Sequence, residues 1–209
     1  MMTDYKILES TQSPINGLVV VEDGSGLTKR LTVNGITQSG GVVGKVWQEP
    51  LDLVKSIKPK VDRCLILGLG TGTIAKNVLG LWPDVSITGV EIDPVIVGMG
   101  QKYFGLNELN IEVVIDNANS FTKRSKEKFD IILFDVYVGN KVPKVFSDAT
   151  YIKSLKKLIK DGGIIAFNRL FARGYTEEPK AFHQVLQSNF SKVVPVFGEA
   201  NVIFVCNSS

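Results

Sequence analysis

An apolar run, Leu65-Ile66-Leu67, opens directly into Gly68-Leu69-Gly70-Thr71-Gly72-Thr73. Glycines spaced like this let a backbone turn sharply and approach a ligand closely, and a helix starting behind them adds positive potential. The spacing is GxGxG. Thr73 stands where a dinucleotide-binding loop wants its third glycine. Three carboxylates occupy comparable places further along the chain. Glu91, nineteen residues after Gly72, closes Val90-Glu91-Ile92-Asp93, where a carboxylate can accept both hydroxyls of a ribose. Asp116, in Ile115-Asp116-Asn117-Ala118, is placed to accept an adenine amino proton. Asp135 comes directly after the run Ile131–Phe134. A single acid at a strand end is more often a helix cap. Three in succession after a glycine-rich loop point to a functional, nucleoside-binding edge of the sheet.

These residues need a scaffold that brings strand ends together. From Val61 onward, short continuous apolar runs alternate with helical stretches. The runs are Cys64–Leu67, Ser86–Val90, Glu112–Ile115, Ile131–Phe134 and Ile164–Phe167. Such runs fit a parallel sheet covered on both faces. The intervening helices include Thr73–Leu81, Pro94–Phe104 and Ala149–Ile159. Asp93 is the cap of the second, Pro94 its first residue, and Asp161-Gly162-Gly163 the stop of the third. A helix around Glu177–Ser188 and strands Lys192–Phe197 and Val202–Cys206 complete the pattern. The fold class expected is α/β: a doubly wound, mostly parallel, seven-stranded sheet that binds ligands at the carboxyl ends of its strands. Residues 5–47 read differently. Leu18–Glu22 is a strand, Asp23–Gly26 a turn, Leu27–Val33 an alternating strand, and Asn34-Gly35 a type I′ hairpin signal. The division expected is a small antiparallel β-appendage over 1–47 and a larger Rossmann-like domain over 48–209. The appendage is too small to stand alone and should pack on the larger domain.

Composition narrows the chemistry. Of 209 residues, 44% are apolar and 22% charged, which suits one globular domain with a sizeable core. With 24 basic and 21 acidic residues the net charge is only +3. The basic runs Lys123–Lys128 and Lys153–Lys160 lack interleaved aromatics, so they read as solvated faces and argue against nucleic acid. One histidine, His183, and two distant cysteines, Cys64 and Cys206, exclude multi-histidine zinc sites and a disulfide scaffold. No metal is expected. No apolar run is long enough to span a membrane, and the first ten residues lack the apolar stretch of a secretory leader. The expected location is cytoplasmic.

The whole set resembles the class I S-adenosylmethionine-dependent methyltransferase fold and, within it, is similar to the spermidine synthase family. Leu31–Gln38 looks like that family's Leu-x-x-(Asp)-Gly-x-x-Gln segment. Trp47-Gln48-Glu49 falls at its Tyr-His-Glu or Tyr-Gln-Glu triplet, and Phe146-Ser147-Asp148 and Leu158–Gly163 match its later stretch. The resemblance implies an adenosyl donor, S-adenosylmethionine or its decarboxylated form, held by Gln38, Gly68, Gly70, Thr71, Gly72, Glu91, Ile92, Asp116 and Asn117. It implies Asp135 as the catalytic aspartate, Trp47 and Tyr137 around a small-molecule acceptor such as an amine, and a homodimer.

The departures bear on the reaction. The family's acidic residue in the glycine loop is here Thr71. Its Asp-Glu pair before the triplet is Val43-Gly44, and the second acid after the fourth strand is Val138. A polyamine is a chain of cations, and each ammonium that leaves water needs a carboxylate. Thr71 also removes a charge that would repel the carboxylate of ordinary S-adenosylmethionine. The expectation therefore leans slightly to methyl transfer, with aminopropyl transfer to putrescine or another amine as the alternative. Glu199 is a candidate replacement acid. A nicotinamide-dependent oxidoreductase is disfavoured by the missing GxGxxG. A non-catalytic nucleoside-binding subunit is disfavoured by the retention of Glu91, Asp116 and Asp135.

Overall fold

The computed structural model describes residues 5–24, 29–172, 174 and 176–207. Strands β1 (Tyr5–Ser13), β2 (Gly17–Gly24), β3 (Arg30–Val33) and β4 (Ile36–Gly40) form an antiparallel N-terminal sheet in that order. Asn34 and Gly35 have φ of 48° and 79°, as the type I′ turn between β3 and β4 demands. The turn expected at 23–26 and the start of the run at Leu27 fall partly on residues 25–28, which lie outside the described residues.

Next come α1 (Gln48–Ile57), β5 (Arg63–Leu67), α2 (Thr73–Leu81), β6 (Ser86–Glu91), α3 (Pro94–Tyr103), β7 (Glu112–Ile115), α4 (Ala118–Arg124) and β8 (Phe129–Phe134). The chain continues through α5 (Ala149–Lys156), β9 (Ile159–Leu170), α6 (Glu177–Gln187), β10 (Lys192–Phe197) and β11 (Asn201–Asn207). The strands β5 to β11 make one sheet of order β10-β11-β9-β8-β5-β6-β7. Its pairs are parallel from β9 to β7 and antiparallel at β11 and β10. The chain leaves β5 toward β6 on one side and returns to β8 on the other. The crevice of a doubly wound sheet therefore opens at the carboxyl end of β5, where Gly68 begins.

Each face of the sheet has its own core. Leu51, Val54, Ile74, Val78 and Val97 bring α1, α2 and α3 onto one face; Phe121, Ile152, Leu155, Phe182 and Leu186 bring α4, α5 and α6 onto the other. The N-terminal sheet buries Val19, Val21, Leu31 and Val33 against Ile96 and Met99 of α3, so it packs on the larger sheet's layer as its size requires.

Two elements differ from the sequence reading. The helix α1 has no side-chain cap at Trp47, so it carries no start signal; the burial of Pro50, Leu51 and Val54 holds it. The helix expected to reach Ile159 ends at Lys156. Ile159 is buried and pairs with Phe129, so it opens β9. Asp161-Gly162-Gly163 then lies within that strand, where the register shifts and Gly162 has φ 65°.

Candidate active site

The carboxyl ends of β5, β6, β7, β8 and β9, the turn 41–45 and the edge of the N-terminal sheet enclose a cavity of about 240 Å³. Gly68 and Gly70 line it with φ of 87° and 57°. A Cβ on Gly68 would press into the backbone carbonyl of Asp135, so only glycine allows the loop after β5 to lie against the end of β8. Gly68→Ala should cost about 1–3 kcal/mol from the left-handed backbone alone. Chemical denaturation of the variant checks this; unchanged stability would mean that the two strand ends do not need this approach.

Glu91 ends β6 and is nearly buried. Its Oε2 accepts the Gly70 amide at 2.9 Å, and its Oε1 accepts those of Ile92 at 2.9 Å and Asp93 at 3.1 Å. Burial pushes its carboxyl above the ordinary carboxylate range, against the pull of these three amides. A carboxylate has about four acceptor sites, so Glu91 shapes the loop and keeps capacity for a ribose hydroxyl. Ile92 leaves its apolar side chain exposed on the wall beside it. Asp116 also lines the cavity. Its Oδ1 takes the Asn117 amide at 2.7 Å and its Oδ2 pairs with Arg124, so an adenine amino group would share this acid. The Asn117 side chain caps α4, accepting from Asn119 and Ser120.

Asp135 lies just beyond β8 and receives one neutral donor on each oxygen. Trp47 Nε1 reaches Oδ2 at 3.1 Å and Asn168 Nδ2 reaches Oδ1 at 2.6 Å. Burial raises its pKa; the two hydrogen bonds and the nearby Arg169 charge oppose the rise. Trp47, only 1% exposed, thus joins the start of α1 to the end of β8. Tyr137 lies in the loop after Asp135, its hydroxyl pushed up by burial first and then by the Asp135 charge. Gln38 of β4 spans the mouth, Nε2 donating to the Gly139 carbonyl at 3.3 Å. Arg169, fully buried beneath that loop, stacks on Phe182, donates to the Asn168 carbonyl and pairs with Glu178.

Of the residues singled out in the sequence, Thr71 and Gly72 do not line the cavity. The Thr71 amide donates to Ser39 Oγ, its Cα lies against Gly100 of α3, and its side chain is fully buried. Gly72, with φ 91°, starts α2 against Leu106. Glu199 is exposed and away from the cavity. Val43 is on the wall and Val138 at the rim, 56% exposed, so two positions that carry acids in the resembled family present apolar groups here. Four contributors carried no sequence signal of charge or motif: Asn16 and Ser39 from the N-terminal sheet, and Asn168 and Asn201 from β9 and β11. Ser13 and Asn16 both bond the buried Asp93 carboxylate, at 2.6 and 2.7 Å, and so latch that sheet beside Glu91.

The sheet order and its covering helices are those of the class I S-adenosylmethionine-dependent methyltransferase fold. Residues 50–206 match the spermine/spermidine synthase domain, and the chain belongs to that family. A probable polyamine aminopropyl transferase of Bifidobacterium longum is 26% identical over 164 residues, 78% of this chain and 35% of the relative. An N-terminal histidine N-methyltransferase of Emericella nidulans is 35% identical over 118 residues, 53% of this chain and 21% of the relative. The chain thus spans about a third or less of the length of these two curated relatives. Spermidine synthase from Thermotoga maritima superposes with a TM-score of 0.81 at 16% identity, over 98% of this chain and 73% of that one. Human methyltransferase-like protein 13, in complex with SAH, does so with a TM-score of 0.68 at 20% identity, over 80% and 82%.

Proposed function

We propose that this chain transfers an alkyl group from an adenosyl sulfonium donor to an amine nitrogen, and that the group is aminopropyl. The observation that carries amine transfer is the buried Asp135 carboxylate, held on both oxygens by neutral donors on the other side of β5 from Glu91. The cavity fits the donor: Glu91 keeps acceptor capacity for a ribose hydroxyl, Ile92 offers an apolar face to a base, and the glycine loop allows close approach. When bound, the donor supplies an electrophilic carbon; the N–C bond forms, the C–S bond breaks, and its electron pair leaves on a neutral thioether. Asp135 orients the amine N–H and takes the proton that the alkylated nitrogen releases. The family match and the aminopropyl relatives favour aminopropyl over the methyl transfer to which the sequence leaned.

Methyl transfer is the second reading, and one observation favours it. The wall residues from β4, the segment 43–46 and the start of α2 are Ser39, Val43, Val46, Thr73 and Ile74. Among the described residues the acids lining the cavity are Glu91, Asp116 and Asp135, each already assigned, so none is left over for the ammonium of a decarboxylated donor. Side-by-side calorimetric titration with S-adenosylmethionine and its decarboxylated form separates the two readings. Tighter binding of the decarboxylated form, with turnover of putrescine, is the result expected; tighter binding of the carboxylated form transfers the case to methylation. Thr71→Asp is a poor probe of this choice, because it would bury a carboxylate off the cavity wall. If neither donor nor S-adenosylhomocysteine stabilises the protein, where ~100 Kd of ligand should add ~2.7 kcal/mol, the donor class is wrong.

The direction of the Asp135 shift sets a pH dependence. The ionised carboxylate is the working form, and its pKa lies above the ordinary range. Activity should therefore fall as pH drops through that raised value, at higher pH than an exposed aspartate would give. A kcat profile across the acid side checks this, and an acid limb in the ordinary carboxylate range would contradict it.

A further inference from the structure

Asn168 and Asn201 line the cavity on the Asp135 side, and no charge or motif marks either in the sequence. Their placement is a consequence of the sheet. Phe134 of β8 pairs with Phe167 of β9, so the next residues, Asp135 just past the end of β8 and Asn168 near the end of the longer β9, emerge side by side. β11 runs antiparallel along β9, with Ile203 opposite Asn168 and Asn201 opposite Leu170. The result is a relay of neutral amides: Asn201 Nδ2 donates to Asn168 Oδ1 at 2.9 Å, and Asn168 Nδ2 donates to Asp135 Oδ1 at 2.6 Å. An ionised carboxylate only accepts hydrogen bonds, so Asn168 must turn its NH₂ group toward Asp135 and its carbonyl away. The donor from Asn201 meets that carbonyl and opposes a flip of the amide. With Trp47 on the other oxygen, the carboxylate is fixed in plane and direction by two neutral donors.

We infer that Asn168, steadied by Asn201, is a positioning residue that holds the Asp135 carboxylate toward the acceptor and favours its ionised form. The purpose of this device rests on the amine-transfer reading; its measurement does not. Among the described residues, the charged and titratable groups around Asp135 are Arg169 from β9 and Tyr137 from its own loop, with Glu178 of α6 beyond Arg169. Arg169 favours the ionised carboxylate as well, so the amide contribution must be read by varying Asn168 while Arg169 stays.

The test is a side-chain carboxyl ¹³C NMR titration of the full chain without donor, with Asp135→Asn assigning the resonance. A hydrogen bond to a charged group is lost in Asn168→Ala, so the Asp135 midpoint should rise by about one pH unit or more. Asn201→Ala should raise it less. Asn189→Ala, at a side chain bonded to the Val185 carbonyl outside the cavity, should leave it unchanged. Asn168→Asp keeps the size of the side chain and puts two carboxyls in contact, so the pair should titrate in two steps, one well above the wild-type midpoint. An unshifted Asp135 in a folded Asn168→Ala, or an equal shift in Asn189→Ala, overturns the inference. If Asn168→Ala does not fold, a single unshifted step in Asn168→Asp overturns it instead. Failure of the protein to bind any adenosyl donor would sink the functional reading and leave this titration intact.

Discussion

Asp135→Asn should lower kcat by about 100-fold or more while donor affinity barely changes. The side chain keeps its shape but loses its charge and its power to take a proton. The setting makes this substitution harsher than an isosteric change usually is. Both Asp135 oxygens accept from a donor, Trp47 on one side and Asn168 on the other. An amide has one acceptor oxygen, so its NH₂ group must face one of those two donors. The variant therefore misorients as well as discharges the site. Single-turnover rates with the donor and an amine acceptor, beside calorimetric donor binding, separate the two effects. Full turnover in the variant would reduce Asp135 to a residue that merely ends a strand.

Glu91→Ala should weaken nucleoside binding about 30- to 150-fold, the equivalent of ~2–3 kcal/mol for a lost charge-assisted contact. Loop disorder adds to the loss, since the amides of Gly70, Ile92 and Asp93 lose their shared acceptor together. Glu91→Gln is the sharper variant. Its single amide oxygen cannot serve three amides on two sides, so it should bind almost as poorly as alanine despite its size. Calorimetry with S-adenosylhomocysteine reads both. Wild-type affinity in a folded Glu91→Ala would remove this residue from the ribose site.

The three strand-end acids were legible because a parallel sheet reads out its own edge: each buried apolar run must stop, and the residue after it stands at the ligand side. The same rule applies to Asn168, which comes directly after Ile164–Phe167, yet an uncharged amide there attracts no notice until its partner is seen. Thr71 shows the opposite limit. Its place in the loop could be read, but which side of the loop its side chain takes depends on α3 packing behind it. Asn16 and Ser39 were hidden for another reason. Their partners Asp93 and Thr71 lie 77 and 32 residues away, and nothing local to a β-hairpin announces a bond across that distance. At Ile159 the long-range pairing with Phe129 overrode a helical stretch that local pattern had extended too far.

The latch of Ser13 and Asn16 on Asp93 ties the appendage to the residue two places beyond Glu91. The small sheet has a thin core of its own, so this seam is a place where local opening would free it. A nucleoside bound at Glu91, as proposed, would lie beside the same seam and make that opening rarer. By reciprocity, whatever loosens the seam must release the nucleoside by the same factor. Slowed amide exchange in β1 and β2 on adding S-adenosylhomocysteine is the sign of that linkage, and unchanged exchange would deny it. The N-terminal sheet is then a latch whose grip is set by what lies beneath it, and occupancy of the pocket can be read from a part of the chain far from the reacting end.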